Sequence, residues 1–288
     1  MLNFLGSEIN PNYSSSQAVI LPIPYERTTS YFKGTENGPQ EILKASSQLE
    51  LYDSELKTEI AEIGIYTLPE LEFKYTDYRE DLNIVYEKAG KELKNNKWIL
   101  SLGGEHTVTV PLYKAVKENS NDDIGFVHLD AHFDLRASYE GSKYSHACVL
   151  KRVRELTSHT LSIGIRAFSK EEADFAKVNK IMHVTDKDIY YSNYDLPKLL
   201  NNLPEKIYLT IDLDFFSPAV IPGLGTPVPG GPDWWTGLSI IRQIFNSKDV
   251  VAADIVELCP NVEGFQSPFT AAMLAYKCLG YKFSKSLC

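Results

Sequence analysis

Two rhythms of apolar and polar residues take turns along this chain. Residues 17–24 (QAVILPIP) form a short continuous apolar run, as expected of a strand buried on both faces, and residues 60–68 predict a second strand at a sheet edge. Between them, a segment rich in Gly, Thr and Tyr predicts a long loop as far as Pro39 and then a helix from near Gln40. Residues 77–96 place Leu82, Val85, Tyr86, Ala89 and Leu93 at helical spacing, and 98–102 reads as the next strand. Strand and helix then alternate. Helices are predicted over 108–118, 145–156, 170–179, 188–203, 234–246 and 268–283, and strands over 124–130, 161–165, 181–184, 206–212 and 250–257. This pattern predicts a three-layer α/β/α fold with a mostly parallel sheet of about eight strands. No repeat, low-complexity tract or linker divides it, so residues 1–288 are expected to form one domain.

Composition narrows the function classes. At 288 residues and 43% hydrophobic content the chain can bury a large core. A net charge of -9, with only the short basic face KRVR at 151–154, argues against general nucleic-acid binding and mildly favours cationic substrates. No apolar run reaches membrane-spanning length and the opening residues lack a basic region followed by a long apolar one, so neither anchor nor secretory signal is expected and the cytoplasm is the expected compartment. Cys148, Cys259, Cys278 and Cys288 form no CxxC pair, which fits reduced thiols.

Open α/β sheets bind ligands beyond the carboxyl ends of their strands, and polar residues gather there in this chain. The strand over 124–129 runs into Asp130-Ala131-His132-Phe133-Asp134, whose alternate residues share one side if the extended backbone continues. Asp and His are equally ordinary residues of strand-to-helix turns, so this stretch alone does not decide. The strand over 98–102 ends in Gly103-Gly104-Glu105-His106, where glycine freedom lets His106 approach a shared site; a plain turn with a capping Glu or His is the bland alternative. The strand over 206–211 ends in Asp212-Leu213-Asp214. Two acidic helix caps are the alternative there, but a stiff loop with five prolines, 217–232, delays the next helix to about Asp233. Glu257 ends the last strand and His146 lies in the loop after Asp134.

His106, Asp130, His132, Asp134, Asp212 and Asp214 are too many ligands for one catalytic zinc, which takes about three, but suit two divalent cations bridged by carboxylates. Carboxylate and imidazole without thiolate suit manganese. Four carboxylates formally cancel two dications, and Glu257 tips the balance toward a cationic substrate rather than a phosphate. His128 is expected to be a hydrogen-bonded core residue and His159 and His183 to be structural; Trp234, Trp235 and the Tyr139/Tyr144 pair are more often packing than recognition, although Tyr139 lies in the loop leading to His146.

GGEH at 103–106, DAHFD at 130–134, SHA at 145–147, DLDFFSPAVIPGLGTPVPGG from Asp212 and DIVELCP from Asp254 resemble, in order, the signatures of the ureohydrolase family, which includes arginase and agmatinase. The likeness extends to TTSYFKGTENGPQEIL at 28–43. It implies an arginase/deacetylase-like fold and a two-manganese centre: His106, Asp130, Asp134 and Asp212 around one ion, Asp130, His132, Asp212 and Asp214 around the other. Water deprotonated between the ions would attack a guanidinium carbon. By the same resemblance Asp134 hydrogen-bonds that nucleophile, Glu257 orients the guanidinium and His146 relays a proton to the leaving amine. Arg136, Tyr139 and Thr226 join Glu257 and His146 as expected substrate contacts, and a homo-oligomer, trimer or hexamer, is implied.

The loop over 134–153 resembles the agmatinase version, with Arg136 and Ala137 where arginases hold the α-carboxylate and α-amine. Agmatine, cleaved to urea and putrescine for polyamine biosynthesis, is therefore the expected substrate. Ser217, Leu224 and Val228 depart from the family's usual Asp, Thr and Glu, and the last two are expected to reshape the tail pocket. Aminopropylagmatine, guanidinobutyrate and arginine stay open as alternatives. So does, in another class, deacetylation of a polyamine by a single zinc on the same fold; the additional His106 and Asp214 speak against it.

Overall fold

A computed structural model describes residues 2–7, 9, 11–262 and 265–284; Cys288 lies outside the described residues. The strands are β1 (Ala18–Ile23), β2 (Tyr52–Asp53), β3 (Thr58–Glu59), β4 (Ile65–Thr67), β5 (Trp98–Gly103), β6 (Ile124–Leu129), β7 (Thr160–Ile165), β8 (Met182–Thr185), β9 (Lys206–Asp212) and β10 (Asp249–Val256). The α-helices are α1 (Gly38–Ser46), α2 (Tyr78–Lys94), α3 (Thr109–Glu118), α4 (Val149–Val153), α5 (Lys170–Val178), α6 (Asp186–Tyr190), α7 (Leu196–Leu200), α8 (Trp234–Ser247) and α9 (Gln266–Phe283).

Eight strands pair in parallel in the order β4-β1-β5-β10-β9-β6-β7-β8, the three-layer α/β arrangement the alternation predicts. The period of two along each strand sorts side chains into two cores. Ala18, Ile20, Val127, Leu129, Ile207, Leu209 and Ile211 pack on one face with α1, α8 and α9. Val19, Leu21, Ile23, Ile124, Phe126 and Tyr208 pack on the other with α2, α3 and α4. Both faces are covered, which is why the central strands read as unbroken apolar runs rather than alternating ones.

Three predicted elements differ in form. Gly64, at φ 73°, interrupts 60–68, so Ile60–Ile63 winds into a 3₁₀ turn and only β4 remains, at the sheet edge. The predicted helix over 188–203 is two short helices, because Ser192 adopts a left-handed φ of 53° and Asp195, accepting the Lys198 N–H at 3.0 Å with Pro197 in the first turn, starts α7 afresh. The helix over 145–156 shortens to a 3₁₀ turn, His146–Cys148, followed by α4. The hairpin β2-β3 is too short to leave a periodic signal and was not predicted.

Candidate active site

β5, β10, β9 and β6 are neighbours in the sheet, and Leu102, Ile255, Ile211 and Leu129 stand in one row across them. The residues just beyond that row therefore meet. His106 opens a 3₁₀ turn after β5. The glycines before it serve close approach rather than a left-handed backbone: a Cβ on Gly104 would lie 2.1 Å from the Tyr25 carbonyl oxygen. Beyond β6 the extended backbone reaches His132, which bridges to Ala167 in parallel, but does not continue through Asp134. Asp134 turns back at φ 53°, and this left-handed residue, not strand periodicity, brings it beside Asp130.

The six expected ligands converge on two foci. His106 Nδ1 lies 3.1 Å from Asp130 Oδ2, 3.4 Å from Asp134 Oδ2 and 3.2 Å from Asp212 Oδ2. His132 Nδ1 lies 2.8 Å from Asp214 Oδ2 and 3.5 Å from Asp130 Oδ1, so Asp130 offers one oxygen to each focus. Backbone groups hold the acids: Ala131 N–H donates to Asp214 Oδ1 and Asp214 N–H to Asp212 Oδ1, both at 2.9 Å. Asp212 thus also caps the 3₁₀ turn Leu213–Phe215, so the capping reading and the clustering hold together. His128 is the hydrogen-bonded core residue expected, its Nε2 2.8 Å from Asp130 Oδ2 and its Nδ1 3.3 Å from Ser162 Oγ. It lies close enough to count among potential ligands, but both ring nitrogens are engaged, which makes it an orienter of Asp130.

The cluster fits divalent cations. His106 Nδ1 and Asp214 Oδ2 are buried without a hydrogen-bond partner. Burial, then the Asp130 charge, pushes the Asp134 carboxyl up, and burial with the charges of Asp214 and Asp130 pushes Asp212 well up. Burial opposes charge on His106, yet Asp130, Asp134 and Asp212 outweigh it and raise its pKa well above the ordinary value. Three carboxylates thus call for a positive charge beside Nδ1, which a proton or a metal ion can supply. The donors are oxygen and nitrogen only, the set that suits hard or borderline dications.

Glu257 follows β10 at φ 66°, the second functional candidate held in the left-handed region. Its Oε1 accepts the His106 backbone N–H at 2.7 Å and lies 3.6 Å from His146 Nδ1. Burial works against charge on the His146 imidazole, but the Glu257 carboxylate outweighs it and pushes the pKa up to about 9. The folded pKa exceeds the unfolded value of about 6.5, so this pair stabilises the fold in full below pH ~6.5 and the contribution fades as pH rises through about 9. In the metal-free protein His146 is expected to titrate near pH 9 by NMR, and in Glu257→Gln to fall back toward its ordinary value. Titration near 6.5 in both would refute the pairing.

Glu105 and Arg166 are positioning residues that sequence reasoning missed. Fully buried Glu105 accepts the backbone N–H groups of Arg27 and Thr28 and the hydroxyls of Thr28 and Thr107. Thr28 Oγ1 in turn accepts the His146 N–H at 2.9 Å, tying the first loop to the histidine. Arg166 donates to the carbonyls of Asp214 at 2.6 Å and Val228 at 3.1 Å, stapling the Asp214 turn to the proline-rich loop. The spacing of Glu105 beside His106 was visible; nothing local marks Arg166.

A cavity of about 190 Å³ opens over the cluster, lined by His132, Asp134, Asp212, His146, Arg136, Tyr139 and Thr226, with Ser30 and Ala147 as unforeseen wall residues. Arg136 stands 4.9 Å over the Tyr139 ring with its Nε 3.7 Å from Glu172 Oε2, so its charge is partnered. Tyr139 also lines a second cavity of about 530 Å³ with Tyr78, Glu140 and Tyr144. Leu224 packs in the core beneath the loop, not in the cavity wall, and the Val228 carbonyl is held by Arg166. Trp234 packs on Phe216 as expected, but Trp235 is 69% exposed. His183 is held by the Ile181 carbonyl, whereas His159 pairs with Asp123 at the surface. A larger cavity, about 700 Å³ beside Trp235 and Phe269, shares no residue with the cluster, so size does not mark this site.

Buried carboxylates and imidazoles at the carboxyl ends of a parallel sheet, beneath a small cavity, form the kind of site that can hold divalent cations for metal-assisted hydrolysis. A family model described as the arginase family matches residues 16–280. A Synechocystis protein named N(1)-aminopropylagmatine ureohydrolase is 39% identical, over 96% of this chain and 93% of its own length. An agmatinase from Pyrococcus horikoshii is 32% identical, over 91% and 90%. The crystal structure of agmatine ureohydrolase of Thermoplasma volcanium superposes with a TM-score of 0.89 at 26% identity, covering 99% of this chain and 96% of that one. The chain belongs to the arginase family and is a ureohydrolase, an enzyme that hydrolyses C–N bonds of linear amidines. Among the described residues no helix is long and apolar enough to cross a membrane.

Proposed function

We propose that this ureohydrolase releases urea from an extended guanidinoalkylamine of the N1-aminopropylagmatine kind, leaving the alkylamine. The observation that carries this reading is the Synechocystis relative of that name, matched over nearly the whole of both chains. The geometry agrees with it, because Tyr139 stands between the cavity over the cluster and the second cavity, giving a long tail a direction in which to extend. Agmatine is the second reading, favoured by the likeness of the 134–153 loop to agmatinases and by the Pyrococcus relative.

In this reading the residues would hold two manganese ions, with His106, Asp130, Asp134 and Asp212 as ligands on one side and Asp130, His132, Asp212 and Asp214 on the other. Two such ions, when bound, lower the pKa of water enough to supply a nucleophile at neutral pH. Glu257 accepts paired N–H bonds from the guanidinium and presents its carbon toward the foci. The Asp134 carboxylate, exposed to the cavity, accepts a hydrogen bond from the attacking water and aligns it. His146, held cationic beside Glu257, donates a proton to the alkyl nitrogen as the C–N bond breaks. Water adds to the carbon and the products are urea and an alkylammonium ion. Thr226 and Tyr139 wall the tail, and Arg136, partnered by Glu172, is no free anchor for a phosphate.

Manganese-loaded protein should be assayed for urea from N1-aminopropylagmatine, agmatine, 4-guanidinobutyrate and arginine. The expected result is the highest kcat/KM on N1-aminopropylagmatine, by about tenfold over agmatine. Preference for agmatine would support the second reading, and preference for arginine would overturn both.

A further inference from the structure

Asp254 is fully buried in β10, takes no part in the chemistry described above, and lies in register with Thr210 of β9. Its Oδ1 accepts the Thr210 hydroxyl; its Oδ2 accepts the hydroxyls of Thr109, at 2.9 Å, and Tyr208. Burial pushes the carboxyl up, and the nearby His106 and then the three hydroxyls oppose that rise. Three donors and no acceptor on its two oxygens are the environment of an ionised carboxylate. Thr210 has one hydroxyl proton, and Asp254 receives it. Toward His106 Nε2, 3.0 Å away, Thr210 Oγ1 is therefore only an acceptor. The imidazole must carry its proton on Nε2, which leaves the Nδ1 lone pair facing the oxygens of Asp130, Asp134 and Asp212.

We propose that Asp254 is a positioning residue that acts through Thr210 to fix the tautomer of His106 and so to set the affinity of the His106-side metal, leaving the His132-side metal largely unaffected. This rests on the reading of the cluster as a two-manganese centre. The selectivity follows from connectivity: the Asp254–Thr210 chain reaches His106, whereas His132 is oriented by Asp130 and Asp214. Partners of this kind behind a ligating histidine alter metal affinity by about 10–100-fold.

The test compares manganese binding in the wild-type protein and in Thr210→Val, Thr210→Ser and Asp254→Asn. Titration calorimetry and atomic spectroscopy count the ions, and electron paramagnetic resonance distinguishes a spin-coupled pair from an isolated ion. Thr210→Val keeps the side-chain volume but removes the relay, and is expected to weaken one site by about 10–100-fold, replacing the coupled signal with that of an isolated ion at limiting metal. Asp254→Asn is expected to do the same, and Thr210→Ser, which keeps the hydroxyl, to restore both sites. Two sites of wild-type affinity in Thr210→Val, or equal weakening of both sites, overturns the proposal. A wild-type protein that binds fewer than two ions instead overturns the two-metal reading, and the inference with it.

Discussion

Asp130→Asn is expected to lower urea release by at least about 10³-fold and to strip metal from the protein. The change preserves volume but removes a carboxylate that offers one oxygen to each focus. Asp130 Oδ2 faces two imidazole nitrogens, His106 Nδ1 and His128 Nε2, and Oδ1 accepts the His132 backbone N–H. An amide cannot satisfy all of these: wherever its NH₂ is placed, a donor meets a donor or a metal loses an anionic oxygen. The natural carboxyl is held well below its usual range; burial opposes ionisation, but the charge of His128 and the bonds from His106, His128 and His132 prevail. Manganese content by atomic spectroscopy and a urea assay check both halves of the expectation. Retention of two metals and of the rate in Asp130→Asn would refute its bridging role.

Glu257→Gln should separate binding of metal from turnover. A glutamine keeps an oxygen to accept the His106 N–H, so the His106 backbone and the metal content should survive. What is lost is the negative charge that, in the proposed reading, pairs with the guanidinium, and that holds His146 cationic. By analogy with removal of one charge-stabilising group from other active sites, kcat/KM should fall by about 10²–10³. Loss of manganese in parallel with activity would show that Glu257 supports the metals rather than the substrate.

Much of this architecture was legible because it rests on periodic signals. Unbroken apolar runs gave the central strands, and the acids and histidines that end them were readable as a group once the strand-end rule was applied. What escaped depends on contacts that have no local pattern. Arg166 reaches carbonyls some fifty residues away, and the Glu105 carboxylate anchors Arg27 and Thr28 across the chain. The placement of Asp134 looked like strand alternation and is instead a left-handed turn, a backbone choice that no side-chain pattern announces. Leu224 was expected at the tail pocket because it departs from the family's usual Thr, yet it pairs with Leu258 and is buried in the core.

The sheet order carries a consequence for how the enzyme is born. Among the described residues β10 follows every other strand of the sheet in the chain, yet it lies at the centre, between β5 and β9. Until it is made, the nascent chain can assemble only β4-β1-β5 on one side and β9-β6-β7-β8 on the other, each with a bare inner edge. Such long-range parallel pairing is slow to form and exposed to aggregation while it waits. His106 and Asp212 stand on opposite sides of that gap, so the two halves of the site meet only once β10 has been made and pairs with both.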